Sequence, residues 1–239
     1  MTPELENLCK QLHIAGVYQF IQNQHDSDPD TISILTNACQ FELKIRMTNR
    51  QIRTLKLAGF PTQKRFEELS VEALPDDGKR ILQDLKLLNF IQETKNVVLI
   101  GNSETGKTHM AIATGVCACE NNYKVIFKTA AGLVNELLEA KRAGRFTLLM
   151  KQLKKIDILI LDELGYITFD LEGAELLFQI LAARYEILST VITTNLPFSE
   201  WIKVFHDKTL TAALLDRITH RAIVVNMNGS SYRRRASKS

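Results

Sequence analysis

Residues 101 to 108 read Gly101, Asn102, Ser103, Glu104, Thr105, Gly106, Lys107 and Thr108. This is a Gly-x-x-x-x-Gly-Lys-Thr loop set between an apolar run and a helix-like segment. The two glycines let the backbone curl so that successive N–H groups point inward at phosphate oxygens, where a Cβ would obstruct. Lys107 is spaced to reach the β and γ phosphates, and Thr108 to offer a hydroxyl to magnesium. A helix starting at Lys107 adds its positive N-terminal end. Taken alone the octapeptide is also compatible with a plain turn, because Gly and Ser are common loop residues. The rest of the chain has to supply the second half of such a site.

Two later segments do so. The apolar run from Ile156 to Leu161, broken only by Asp157, ends in Asp162-Glu163. That places two acids at the carboxyl end of a buried strand, where open α/β sheets bind their ligands. Buried carboxylates are costly without a metal or hydrogen bonds, so the pair reads as chemistry: Asp162 on the metal side, Glu163 as the base that polarises an attacking water. The competing reading is a helix-capping acid followed by a surface Glu. A β-branched segment then ends in Thr193-Thr194-Asn195, and the Asn195 amide is placed to orient water or touch a γ-phosphate. Asn after a strand is also an ordinary turn residue. Together the three segments point to a nucleoside triphosphate and Mg2+, with Lys107, Glu163 and Asn195 as catalytic candidates and Thr108 and Asp162 as metal ligands.

The elements around them fall into two regimes. Residues 4–24 and 31–57 carry helical periodicity, and Arg46, Arg50 and Arg53 fall at i, i+4 and i+7 while Ile45, Ile52 and Leu55 point toward packing. A basic stripe without interleaved Glu is unlike the pattern of i,i+4 ion-pair support. Gly59-Phe60-Pro61 ends that helix, Ala73 to Asp77 reads as a loop, and a helix is predicted from Gly78 to Gln92. The boundary lies in the 58–75 stretch, giving an N-terminal helical domain over 1–65 and a second domain over 66–239. The second domain alternates strands with helices. Strands are predicted at 97–100, 124–128, 156–161, 190–194 and 222–226, and helices at 107–120, 131–143 and 171–188. That alternation is the signature of an α/β fold with a parallel sheet flanked by helices, beside the small all-helical N-terminal domain.

With 239 residues, 45% of them apolar, the chain can bury a sizeable core. It has no run of eighteen uncharged apolar residues and no basic start followed by an apolar core, so a cytoplasmic protein without a membrane partner is expected. Cys9, Cys39, Cys117 and Cys119 lack zinc-type spacing and read as buried free thiols. The net charge of +3 is diagnostic of little, but its distribution is uneven. Lys44 to Arg65 holds seven basic residues and no acid, Lys141 to Lys155 holds six and no acid, and Arg233-Arg234-Arg235 with Lys238 forms a third cluster. Single charge runs are usually solvated faces; three of them favour a polyanion.

The combination of Gly101 to Thr108, Leu161-Asp162-Glu163-Leu164-Gly165-Tyr166, Thr193-Thr194-Asn195-Leu196-Pro197-Phe198-Ser199-Glu200-Trp201 and Leu215-Asp216-Arg217 resembles the IstB-like transposition helper ATPases of insertion sequences. These belong with the DnaC helicase loaders in the AAA+ superfamily. The likeness extends over nearly the whole chain, to the closing Gly-Ser-Ser-Tyr-Arg. It implies a AAA+ type ATPase that assembles on double-stranded DNA as a homo-oligomer and assists a transposase in target selection and insertion. It also implies nucleotide held between subunits, with Arg217 at the position of an arginine reaching the neighbour's γ-phosphate, and Arg221 and Arg233 in reserve. The plainer reading of Arg217 is a helix-surface arginine paired with Asp216 or Glu200. Under the DNA reading, Arg46, Arg50, Arg53, Lys141, Arg142 and Arg145 supply phosphate contacts. Two competitors share the core: a DnaC-like replicative helicase loader, and a scaffold that binds ATP and hardly turns it over. The resembling family commonly has Pro-Pro-Gly where this chain has Asn102-Ser103-Glu104, and Glu104 adds negative charge near phosphates.

Overall fold

The computed structural model describes residues 3–23 and 29–229. The tail Arg233-Arg234-Arg235, with Lys238, lies outside the described residues, as does most of the closing Gly-Ser-Ser-Tyr-Arg. The chain divides into two compact units, Met1–Arg53 and Thr54–Ser239.

The first unit contains α1 (Pro3–Gln11), α2 (Ala15–Asn23) and most of α3 (Pro29–Ala58). The single helix expected over 4–24 is broken at His13, whose φ of 56° is left-handed. The Ile14 N–H closes that turn onto the Cys9 carbonyl at 2.9 Å. A small core holds Leu5, Cys9, Leu12 and Cys39, with Ile32, Leu35 and Leu43 packed against it. On α3 the stripe 32, 35, 39 and 43 faces this core, with Cys39 buried and the others partly so, while Phe41, Ile45 and Ile52 are exposed. Ile45 and Ile52 therefore do not pack as expected: they lie roughly half a turn from the stripe that meets α1 and α2. Leu55, in the second unit, does pack on that unit's core.

In the second unit, α4 (Asp76–Leu87) and α5 (Asn89–Gln92) replace the one helix predicted to Gln92, separated by a left-handed Leu88. Five strands follow: β1 (Asn96–Ile100), β2 (Val125–Thr129), β3 (Ile158–Leu164), β4 (Ser189–Thr194) and β5 (Ala222–Asn226). They form one sheet in the order β2-β3-β4-β1-β5, and every neighbouring pair is parallel. Parallel strands require crossover helices, which cover both faces. Val97, Leu99, Phe127, Ile158 and Ile160 point to one core with α6 (Lys107–Glu120). Val98, Leu159, Leu161 and Ile192 point to the other, with α7 (Ala130–Arg142), α9 (Leu171–Arg184) and α11 (Lys208–His220). The last three helices have side-chain caps: Thr129 accepts from Gly132 N–H, Asp170 from Gly173 N–H and Asp207 from Leu210 N–H. Each such cap is worth about 1 kcal/mol.

The helices α8 (Phe146–Leu153), α10 (Ile202–Phe205) and α11 go beyond those the sequence predicts. Among the described residues no helix is long and apolar enough to cross a membrane.

Candidate active site

The strand order brings the three chemical segments together. β4 lies between β3 and β1, so the end carrying Thr193-Thr194-Asn195 sits between the acid pair and the phosphate loop. The Gly101 N–H donates to the Thr194 carbonyl at 3.1 Å, which fixes where the loop leaves the sheet. On the other side of β1, the exit of β5 backs the loop: Asn228 Oδ1 accepts from Asn102 N–H at 3.1 Å.

The loop glycines serve two different needs. Gly106 has φ +90°, the left-handed region that penalises a Cβ. Gly101 instead needs room, because a Cβ there would lie 2.6 Å from the Met227 carbonyl oxygen. Between them, Glu104 adopts φ 64° and is exposed.

Lys107 is only 6% exposed, and its ammonium donates to the loop carbonyls of Gly101 (2.7 Å) and Asn102 (2.5 Å). Burial pushes its pKa down, and the nearby Asp162 partly offsets this. Asp162, 3% exposed, accepts at one oxygen, Oδ1, from the Thr108 hydroxyl at 3.0 Å and the Thr193 hydroxyl at 2.5 Å. A buried carboxylate is thus met by hydrogen-bond donors, as desolvation demands.

β3 runs to Leu164, three residues beyond the predicted end at Leu161, because its pairing with β4 shifts register between Leu161 and Leu164. The irregularity re-aims the side chains on either side of it. Asp162 is turned in and Glu163 is exposed with φ 60°. Glu163 N–H donates to Thr193 Oγ1 at 3.0 Å. Thr193 therefore joins both acids, a role no sequence signal separated from its neighbours. Gly165 (φ +102°) completes the turn, and the Tyr166 hydroxyl meets Ser103 Oγ at 2.9 Å. Asn195 Oδ1 is buried and has no partner among the described residues. It borders the same turn, 3.4 Å from where a Gly165 Cβ would stand.

Arg217 is not brought to this cluster within one chain. Its Nη1 donates to the Ala213 carbonyl at 2.9 Å and its guanidinium lies 5.0 Å from the Phe178 ring centroid. It is not paired with Glu200, which holds Lys203. Arg221 is exposed at the end of α11, and Arg233 is outside the described residues.

The basic stripes are partly neutralised. Arg46 pairs with Glu42 at 2.7 Å and donates to the Leu12 carbonyl. The acid lies two residues upstream of the run, at the i,i+4 spacing the stripe was expected to lack. Arg50 and Arg53 are exposed. Lys141 pairs with Glu172 at 2.7 Å and is exposed, as are Arg142 and Arg145 and Lys151, Lys154 and Lys155 on and after α8.

The family of IstB-like ATP binding proteins matches residues 5–239. The chain belongs to this family. It is 36% identical over 236 residues, 98% of this chain and 93% of the relative, to an ATP-binding protein of insertion sequence IS232 in Bacillus thuringiensis subsp. berliner. It is likewise 36% identical over 234 residues (96% and 88%) to the corresponding IS21 protein of Pseudomonas aeruginosa. The crystal structure of the DnaC helicase loader superposes with a TM-score of 0.54 at 24% identity, covering 64% of this chain and 91% of that one. DnaA from Aquifex aeolicus bound to AMPPCP gives 0.59 at 17%, covering 75% and 54%. These neighbours share the fold of the second unit. By its family and its Gly101 to Thr108 loop this IstB-like chain is a P-loop ATPase.

The residues present fit a magnesium nucleotide. Thr108 and Asp162 offer two oxygen ligands, and Mg2+ keeps waters and phosphate oxygens for its other positions. No group of three or more His, Cys, Asp or Glu able to cage a metal occurs among the described residues. The buried ammonium of Lys107 supplies the positive charge a triphosphate needs.

Proposed function

We propose that the protein is the ATP-hydrolysing helper of a transposase, assembling on double-stranded DNA as a homo-oligomer and assisting target selection and insertion of a mobile element. The observation that carries the ATP reading is the joined cluster Lys107, Thr108, Asp162 and Thr193 at the carboxyl ends of β1, β3 and β4. In this reading Gly101 to Thr108 wraps the phosphates and Lys107 moves from its loop carbonyls onto the β and γ oxygens. Thr108 and Asp162 would hold Mg2+, whose chemistry there would be to offset negative charge on the phosphates. Glu163 takes the proton of the attacking water, and Asn195, with its unpaired oxygen, orients that water. Arg217, half-buried on α11 and held away from its own loop, serves the site of a neighbouring subunit.

Support for the transposition setting comes from the insertion-sequence relatives that match nearly the whole chain. The likeness to DnaC, at 24% identity, supports a shared fold more than a shared partner. DNA contact rests on Arg46, Arg50, Arg53, Lys141, Arg142 and Arg145. The N-terminal helical unit takes a DNA or partner contact, and the second unit carries the ATPase reaction together with the DNA contacts of Lys141, Arg142 and Arg145. The deciding experiment measures ATP turnover and duplex DNA binding for the native protein and E163Q. Lost turnover with retained ATP binding, together with salt-dependent DNA binding, is expected. Equal slow turnover in both proteins would favour the scaffold reading, and no duplex binding at low salt would end the DNA reading.

A further inference from the structure

The phosphate loop is tied to the rest of the fold through side chains that the phosphate-loop motif does not contain. Asn102 is held by Asn228, and Ser103 by the Tyr166 hydroxyl at 2.9 Å. Tyr166 is 48% exposed, so its ring is not placed by burial in the core. It stands at the end of the turn that starts at Glu163, and its N–H donates back to the Glu163 carbonyl at 3.3 Å.

That turn is not one the backbone adopts freely. Glu163 at φ 60° and Gly165 at φ 102° are both left-handed, and a non-Gly residue holds such a conformation only when its surroundings over-determine it. Two sets of contacts do this. On one side Glu163 N–H donates to Thr193 Oγ1, which donates to Asp162, which accepts from Thr108. On the other, Tyr166 reaches Ser103. The contacts form a ring that leaves the phosphate loop at Ser103 and returns to its end at Thr108, with Glu163 between.

We infer that Tyr166 is a positioning residue of the ATPase reaction: its hydroxyl on Ser103 ties the phosphate loop to the Glu163 turn and sets where the Glu163 carboxylate stands relative to bound phosphates. The inference rests on the reading of Glu163 as base. With the tie, a loop that closes on a triphosphate carries the Glu163 turn with it. Without it, Glu163 keeps only the Thr193 side of its support.

The test compares Y166F, S103A and the double variant with the native protein and E163Q, measuring kcat and KM for ATP, the Kd of a fluorescent ATP analogue, and Tm. Phe removes one oxygen from a half-exposed ring, so folding is retained. Y166F and S103A should each lower kcat about three- to ten-fold, the range of one lost hydrogen bond felt in the transition state, with Kd within about two-fold. The double variant should be no slower than the worse single, because both remove the same contact. Native kcat in Y166F beside an inactive E163Q overturns the inference alone. A Kd loss with native kcat also overturns it, making Tyr166 part of nucleotide binding. Native turnover in E163Q overturns the role of Glu163 and this inference with it.

Discussion

Replacing Gly101 with Ala separates two reasons for a glycine at the start of a phosphate loop. If the glycine is needed for close approach of phosphate, G101A lowers nucleotide affinity and leaves the nucleotide-free protein stable. The geometry says otherwise. An added Cβ would stand 2.4 Å from Met227 C, 2.6 Å from Met227 O and 2.8 Å from Asn228 N, all backbone atoms of the β5 exit. That exit is held by the Met227 N–H on the Ile100 carbonyl at 2.6 Å, so it cannot withdraw without breaking the end of the β1–β5 pairing. Overpacking against yielding side chains costs about 1–3 kcal/mol, and a backbone obstacle puts G101A at the upper end, about 3 kcal/mol. G106A meets only the Leu74 Cδ2 at 3.4 Å but must hold φ +90°, a strain of about 1–2 kcal/mol. The single tryptophan, Trp201, is buried in the ATPase unit between Phe198 and Phe205 and reports its unfolding. In urea without nucleotide, G101A should unfold roughly 1 M earlier than native protein, taking a slope near 3 kcal/mol/M. G106A should fall about half as far. A native midpoint for G101A, or the reverse order, refutes the packing argument.

Three further outcomes follow from the same contacts. Arg184, 2% exposed, donates to the carbonyls of Leu153, Ile156, Asp157 and Ser189 and to Thr190 Oγ1, and burial pushes its pKa down to about 10. R184M strands these acceptors at about 1–3 kcal/mol for each left dry; chemical denaturation should show a loss of at least about 3 kcal/mol. T193V removes the donor to Asp162 and the acceptor of Glu163 N–H, so steady-state assays should show a fall in ATP turnover, with thermal melts still reporting a folded protein. Burial raises the Cys119 thiol to about 12 and the Cys9 thiol above its usual range. A thiol reagent at pH 8 should therefore label them slowly in the native state and rapidly in urea.

The strands of the ATPase unit were readable in sequence because a parallel sheet covered on both faces leaves short continuous apolar runs, as at Val97 to Ile100. The helix Lys107–Glu120 was readable in both its bounds because the motif sets its start. What sequence hides is contact between segments far apart. The 3.6-residue period of α3 marks two apolar stripes, and only the fold shows that 32, 35, 39 and 43 form the one facing the core. α8 is not legible because its eight residues span little more than two turns, too few to mark a helical period. In the site, Lys107, Thr108 and Asp162 were legible as types with fixed roles. Thr193, Tyr166 and Asn228 were not, since hydroxyls and amides in strand ends and loops are common. Their meaning comes from β4 lying between β1 and β3, and β5 lying beyond β1.

The same blindness to distant partners bears on the basic runs, and it makes their DNA reading measurable. Lys141, Arg142 and Arg145 are all exposed in one run, yet Lys141 is held by Glu172 at 2.7 Å, 31 residues away. A cation already paired has less charge to offer a phosphate, because contact must first break or share the pair. Each full phosphate contact on duplex DNA contributes about 0.9 to the slope of log affinity against log salt. R142A/R145A should therefore reduce that slope by nearly 2, and K141A by clearly less than 0.9. Affinity for unrelated duplex sequences should fall in parallel, as expected of backbone contacts. Anisotropy titrations across a salt series measure both quantities. A K141A slope change equal to that per residue in R142A/R145A would show that the Glu172 pair opens freely on DNA. An unchanged slope in R142A/R145A would move the DNA contact off this surface altogether.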